Sequence, residues 1–364
     1  MSTPPIKIYY PSQYPAGVSP SQRFRIEQYI PFLKKESIHF KIEPFISETF
    51  YGIFFQKGHT VKKITAIILG FAHRLLSLFT LHKFDYIFIQ REASPIGPPI
   101  LEWLYARVFR KKIIYDFDDA IWLSRISDNN RIGIYLKCFW KIKKIIGMSH
   151  HVIAGNKFLY NYAKKYNNSI TLLPTCIDTA ARTNFIVNQD TALVTIGWTG
   201  SFSTNEYLEK LYPVLHQLQQ ELSFNLIVIS NKRPTFVLDN MEYIEWNESV
   251  EVETLAKCQI GLMPMERDEW SRGKCGFKLI QYMALGIVPM ADAWGANNEI
   301  IENDVSGILV YNHQEWFEKL KAIIIDASKR KSIGLEAVKK ATEIYSTENN
   351  LPLLSSLFSN TSLP

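Results

Sequence analysis

Short apolar segments alternate with amphipathic ones along this chain, and that alternation limits its fold more than any other feature. IKIYYPS (6–12), FDYIFIQ (84–90), KIIYDFDD (112–119), HHVIAGN (150–156) and ITLLPTCID (170–178) are nearly continuous in apolar residues. A strand covered on both faces reads this way, whereas a half-exposed strand alternates apolar with polar. RFRIEQYIPFLKK (23–35) and PILEWLYARVFR (99–110) carry helical periodicity between them. After a polar stretch at 181–190 the pattern restarts. ALVTIGWTGS (192–201) is followed by a helical NEYLEKLYPVLHQLQQEL, the strands FNLIVIS (224–230) and MEYIEW, a helical VETLAKC and the strand QIGLMPM (259–265). The restart predicts two α/β units in tandem, each a parallel sheet covered by helices. Ligands of such sheets bind beyond the carboxyl ends of the strands.

At 364 residues, 47% hydrophobic and 21% charged, the chain has material for two cores. It shows no short-period repeat, which argues against solenoids and propellers. Cys138, Cys176, Cys258 and Cys275 are too scattered for a zinc site or a disulfide framework and fit a reducing compartment. MSTPPIKIYYPSQYP lacks the features of a signal peptide, and no run of 18 uncharged apolar residues occurs, so a cytoplasmic location is expected. Charge is divided unevenly. Residues 1–180 hold 25 Lys/Arg against 12 Asp/Glu, a net of +13, and residues 181–364 hold 16 against 23, a net of −7. A basic half of this kind meets an anionic membrane surface, nucleic acid or a lipid phosphate, or else solvates one face of a domain.

The carboxyl-end loops carry the candidate chemistry. RGKCGFKLIQYMALGIVPMADAWGANNEII (272–301) reads as a Gly-flanked loop, a short helix with Lys278 in its first turn, a buried strand and a second Gly/Asn loop. Backbone amides and a cation at a helix start suit a phosphate. Gly197-Trp198-Thr199-Gly200-Ser201 repeats the design without completing a dinucleotide fingerprint. Lys232 and Arg233 lie at the next strand end, and Gly17 allows close backbone approach after the first strand. Asp116, Asp118 and Asp119 crowd one strand end, where either a hard cation or an arginine partner would relieve their repulsion. His150 and His151 precede the strand VIA, and the pair is read either as structural or as lying near substrate.

Together these landmarks resemble the family-4 (group 1) glycosyltransferases of GT-B architecture, over nearly the whole length. The block 268–310 is similar to that family's nucleotide-sugar signature. IGWTGSFSTNEYL (196–208), KIIYDFDDAIW (112–122), IAGNKFLYNYA (153–163) and LLPTCID (172–178) match further landmarks in order. The resemblance implies two Rossmann-like domains facing across a cleft. It places an acceptor-binding domain at 1–185, a nucleotide-sugar-binding domain at 186–340 and a C-terminal helix at 341–364 packing back on the first. It implies transfer with retention of anomeric configuration and no cofactor or metal.

By the same resemblance the donor diphosphate lies against Gly200, Ser201, Gly276 and Phe277, with Lys278 at the phosphates. Lys232, Arg272 and Lys274 are the further cations, and Asn297 and Glu299 complete the donor contacts. Relatives carry two glutamates seven residues apart, the second holding ribose; here Gly273 and Gln281 stand in those positions, with Asp268 or Glu269 offered in place of the first. His151, or else His150, would contact the reacting sugar, Asp118 or Asp119 would lie near the acceptor hydroxyl, and Arg23, beyond Gly17, would reach the donor phosphate. Residues 51–83 mix apolar faces with Lys57, Lys62, Lys63, Arg74 and Lys83. They read as a basic amphipathic helix on an anionic membrane or as an ordinary packed helix. The first reading implies a lipid-linked or glycan acceptor, peripheral attachment to the inner face of the plasma membrane, and work on cell-envelope polysaccharide. A nucleotide-sugar epimerase or regulatory nucleotide-binding relative is the alternative. Nucleic acid accounts for the basic half but not for the helix starts of the acidic half.

Overall fold

The computed structural model describes residues 4–56, 58–123 and 135–359. The chain forms two compact units, one made of residues up to Thr175 together with those from Asn350 on, the other Cys176–Asn349.

The first unit is built on a six-stranded sheet of β1 (Ile6–Tyr10), β2 (Ile38–Ile42), β3 (Tyr86–Gln90), β4 (Lys112–Phe117), β5 (His151–Ala154) and β6 (Ile170–Leu172). Its order is β2-β1-β3-β4-β5-β6 and every pairing is parallel. β3 is buried at all five positions, as its apolar run requires. Sequence reading passed over β2. Only Ile38 of IHFKI is fully buried and exposed His39 and Lys41 alternate with half-buried residues, the pattern of an edge strand. The helix read at 23–35 is broken. Pro20–Arg25 ends where Ile26 leaves the helical region (φ −142°), a 3₁₀ turn spans Glu27–Tyr29, and Pro31 sits in the first turn of Ile30–Lys35. Residues 51–83 are likewise two helices, Glu48–Phe54 and Thr60–Ser77, with a 3₁₀ turn Leu78–Lys83. Lys57 lies outside the described residues. Phe358, near the chain's end, is fully buried among Phe40, Tyr86 and Phe88 of this unit.

The second unit repeats the plan with β7 (Thr195–Gly200), β8 (Asn225–Ser230), β9 (Met241–Glu245), β10 (Ile260–Met263), β11 (Val288–Asp292) and β12 (Ile308–Val310). The order is β12-β11-β10-β7-β8-β9, again all parallel. One core cluster holds Trp198, Leu215, Val228 and Trp316; another, on the other face of the sheet, holds Leu279, Tyr282, Ile287 and Ala337. Side-chain caps start the flanking helices: Asn312 accepts from Glu315 N and Asp326 from Lys329 N.

A buried cation fixes the helix Thr60–Ser77 to the first unit. The guanidinium of Arg74, fully buried, donates to the carbonyls of Ser12 (2.6 Å), Glu43 (2.9 Å) and Ala93 (3.2 Å). It also lies 3.7 Å from the Glu43 carboxylate. Arg74→Met leaves those carbonyls without a donor and should lower stability by about 3 kcal/mol or more in urea unfolding. A loss below about 1 kcal/mol would show that the helix is held by its apolar contacts alone.

Candidate functional site

In the second unit the chain leaves β7 toward β8 on one side and returns at β10 on the other. The loops after β7 and β10 therefore diverge and open a crevice at their carboxyl ends. After β7 the loop Ser201–Thr204 is tied by Thr204, whose hydroxyl donates to the Ser201 carbonyl (3.0 Å) and accepts from its amide (3.1 Å). A Cβ on Gly200 would meet the Trp198 ring at 2.3 Å, so the loop turns directly over that indole. After β10, Asp268 caps the short helix Glu269–Arg272 in a capping box with Ser271. Gly276 then adopts φ 62°, the left-handed conformation, and opens the helix Phe277–Ala284. No side chain caps that helix, so its amino end presents backbone amides.

Lys278 stands in this first turn. Its ammonium lies 4.3 Å from the centroid of the Trp198 ring. Among the described residues it has no ion-pair partner. Burial, and then the neighbouring Lys274 charge, pull its pKa down to about 7, with Glu251 acting in the opposite sense. Glu251 is a residue that sequence reading missed. It is buried and accepts a hydrogen bond from the Thr199 hydroxyl (3.2 Å). Its helix, Glu248–Leu255, precedes β10, and the fold brings Glu251 to Thr199, 52 residues away in sequence.

The other donor-side residues fall as follows. Gln281 is 5% exposed, and its amide makes no hydrogen bond among the described residues. Asn297, fully buried, donates to the Asp292 carbonyl (2.9 Å), while Glu299 is exposed on the same short helix. Arg272 pairs with Glu269 (2.8 Å) and lies 5.6 Å from the Trp294 ring; Lys274 lies 3.8 Å from Trp270. Phe277 is half-buried beside the second core cluster. Lys232 and Ser201 are exposed, at the ends of β8 and β7. Of the two carboxylates offered in place of the first glutamate, Asp268 serves as the cap and Glu269 as the partner of Arg272.

In the first unit the three aspartates are held by arginines. Arg25, two residues past the predicted Arg23, is buried and reaches Asp116 with its closest contact at 2.5 Å. Arg91 spans the other two, Asp118 at 2.8 Å and Asp119 at 2.5 Å. Burial alone would raise the Asp118 pKa. The charge and hydrogen bond of Arg91, with the hydroxyl of Ser21 at 2.5 Å, hold it below the ordinary value. A carboxylate so held accepts hydrogen bonds well but is a weak base. Arg91 was missed because its partners lie 27 and 28 residues away. Among the described residues no cluster of three or more His, Cys, Asp or Glu is arranged to hold a metal ion. Gly17, at φ 82°, donates its amide to Glu27 (2.8 Å), and the Arg23 guanidinium lies 4.9 Å from the Phe24 ring.

His151 is placed against expectation. It opens β5, opposite Ile114, so it lies about 13 Å along the strand direction from Asp118, toward the amino end of the sheet. Its ring nitrogens are bonded to Ser169 (2.7 Å) and Thr171 (2.8 Å), and burial, then His150, lower its pKa to about 4. It is a neutral structural histidine of the sheet, not a partner of Asp118 and Asp119.

Residues 194–326, all in the second unit, match the family model described as Glycosyl transferases group 1. Among curated proteins no significant sequence match is found. Solved structures are similar over almost the whole chain. A sucrose-phosphate synthase from Thermosynechococcus elongatus matches at TM-score 0.70 and 12% identity, covering 97% of this chain and 98% of that one. Anabaena HepE in complex with UDP and glucose matches at 0.68 and 13%, covering 98% and 100%. The lipopolysaccharide outer core galactosyltransferase WaaB matches at 0.60 and 11%, covering 96% and 99%. The fold is GT-B and the second unit is a group 1 glycosyltransferase domain. The chain is a glycosyltransferase.

Two outcomes follow from the electrostatics. Lys278 carries its charge in both states below pH 7, so the cost of burying it is full there and fades as pH rises from 7 toward 10.5. Lys278→Met should therefore raise Tm by a few degrees at pH 6 and by less at pH 9, measured by calorimetry. His151 resists protonation in the fold, so it withdraws stability as pH falls from about 6.5 to 4. His151→Asn should flatten that part of the stability curve and leave kcat/KM within about twofold, since a site far from the chemistry costs little in turnover. A hundredfold loss of turnover would return His151 to the reaction.

Proposed function

We propose that the chain transfers a sugar from a nucleoside diphosphate sugar, with retention of configuration, to a lipid-linked or glycan acceptor in cell-envelope polysaccharide or lipopolysaccharide assembly. It works in the cytoplasm, attached peripherally to the inner face of the plasma membrane. The observation that carries the donor assignment is Lys278, without an ion-pair partner among the described residues, beside an uncapped helix start. Departure of a diphosphate from an oxocarbenium-like sugar builds negative charge on the phosphates. A cation and backbone amides already in place stabilise that charge more in the transition state than in the ground state.

Gln281 is suited to the ribose hydroxyls, since its buried amide offers both a donor and an acceptor. Glu251, acting through Thr199 and on Lys278, positions the phosphate-binding cation. Asp118 and Asp119, fixed by Arg91, offer acceptor oxygens to the attacking hydroxyl. Two likenesses support the substrate classes: HepE is seen with UDP and glucose, and WaaB is a lipopolysaccharide galactosyltransferase.

Isothermal titration with UDP, GDP and ADP should give saturable binding of at least one. A bound diphosphate raises the Lys278 pKa from about 7. Binding should therefore take up a proton near pH 7.5 and weaken as pH rises further. Lys278→Ala should weaken binding at least about tenfold, the effect of one lost charged hydrogen bond. Failure of all three nucleotides would overturn the donor reading. The configuration of the product glycoside, read by NMR, decides retention.

A further inference from the structure

We propose that the helical face of the first unit over residues 60–83, 100–112 and 135–148 docks onto bilayers rich in anionic phospholipid, with the helix Thr60–Ser77 lying in the plane of the interface. The proposal deepens the peripheral attachment given above by assigning the surface and the lipid charge.

The helix Thr60–Ser77 is turned inside out for a soluble protein. Its buried positions are Ala66, Gly70, Arg74 and Ser77. A Cβ on Gly70 would meet Phe45 at 2.6 Å, so this side is packed tightly against the unit. The outward side is apolar. Val61 is 77% exposed, Ile68 62%, Leu76 63% and, just beyond the helix, Phe79 79%, with Ile64 and Leu75 on the same face by spacing. A contiguous apolar face on a helix of about 27 Å marks an interaction surface.

The segment Thr60–Lys83 is long and apolar enough to cross a membrane. Spanning would pull Arg74 away from the carbonyls of Ser12, Glu43 and Ala93 and expose it to hydrocarbon. The inward face is committed to protein, so the outward face can only lie along a bilayer.

The neighbouring helices continue this surface. From β2 through β3 and β4 to β5 the chain advances one way across the sheet, and right-handed crossovers put those connections on one face. Trp103 (48% exposed) and Trp140 (50%) are set there, as interfacial tryptophans are. A recess of about 590 Å³ brings Trp103, Met148 and Tyr166 together with Arg107, Lys143 and Lys144. Aromatic walls beside three cations suit a phospholipid glycerol and its phosphate.

Charge selects the partner. Residues 60–83 and 135–148 contain no Asp or Glu. In 99–112 the only acid is Glu102, which is buried and accepts from the Ala93 amide (2.9 Å). A second copy of this chain would bring like charges together, and nucleic acid would leave the aliphatic row uncovered. Only an anionic bilayer matches both.

The full chain is to be floated with vesicles of phosphatidylcholine, with and without phosphatidylglycerol, in the absence of nucleotide, sugar and acceptor. Recovery should be at least about tenfold higher with the anionic lipid and should fall as salt is raised. Ile68→Asp with Phe79→Asp should abolish flotation while leaving the thermal melt unchanged, and Lys143→Glu with Lys144→Glu should remove the preference for anionic lipid. Equal recovery on both vesicles, or flotation of the Asp variant at the wild-type level, would overturn the proposal. So would a lipid-free dimer that the Asp variant converts to monomer. Because no donor is present, this result is separate from that of the nucleotide titration.

Discussion

In a parallel sheet each connection runs from the carboxyl end of one strand back to the amino end of the next, so every strand in a unit points its carboxyl end the same way. Polar and glycine-rich loops collect at that end, and helices must cover both faces. The apolar runs are therefore obligatory, and the loops are released from packing to carry chemistry. The break in strand order between β10 and β7 is where those loops part. Gly200 and Gly276 stand beside it because a side chain at either would strike Trp198 or Ile300.

Burying charge is the second constraint. The first unit places Arg25, Arg74 and Asp116 in its interior, each with its partners nearby, since a lone buried charge would cost several kcal/mol. Arg91 does the same at the surface of the site with Asp118 and Asp119. These pairs set the loop after β4 against β3 and the helix Pro20–Arg25. They convert what reads as a crowded acidic strand end into a rigid one.

The alternation of segments made the sheets legible, and the order of landmarks made the family resemblance legible. Three things were not. β2 is a short edge strand whose polar residues hide it. The helix break at Ile26 depends on one backbone angle that no residue type announces. The roles of Arg25, Arg91 and Glu251 come from contacts across 91, 27 and 52 residues, which periodicity does not encode. His151 shows a different limit. The strand was found, but a residue that opens a parallel strand lies at the end away from the ligand loops, and the His pair drew more weight than its place in the strand.

The cations withdrawn from water are of two kinds. Arg25 and Arg74 are met by carboxylate or carbonyl oxygens, and Arg330 by the carbonyls of Ile323, Ile324 and Gln189. Arginine suits that task because it stays charged and fixes several acceptors at once. Lys141 is buried too and is met by the Glu92 carboxylate and the Ser94 carbonyl. Lys278 differs: it is half-buried over a π face, repelled by Lys274, titrates near neutrality and has no ion-pair partner among the described residues. As scaffold it would be a poor choice, since it destabilises the fold in its charged form. As a phosphate ligand it is a good one, because the anion that relieves its desolvation is also the group that leaves. The remaining exposed cations lie largely in the first half, whose net charge is +13, and the half holding Lys278 is net −7. An anionic surface thus attracts the first half and is repelled by the second.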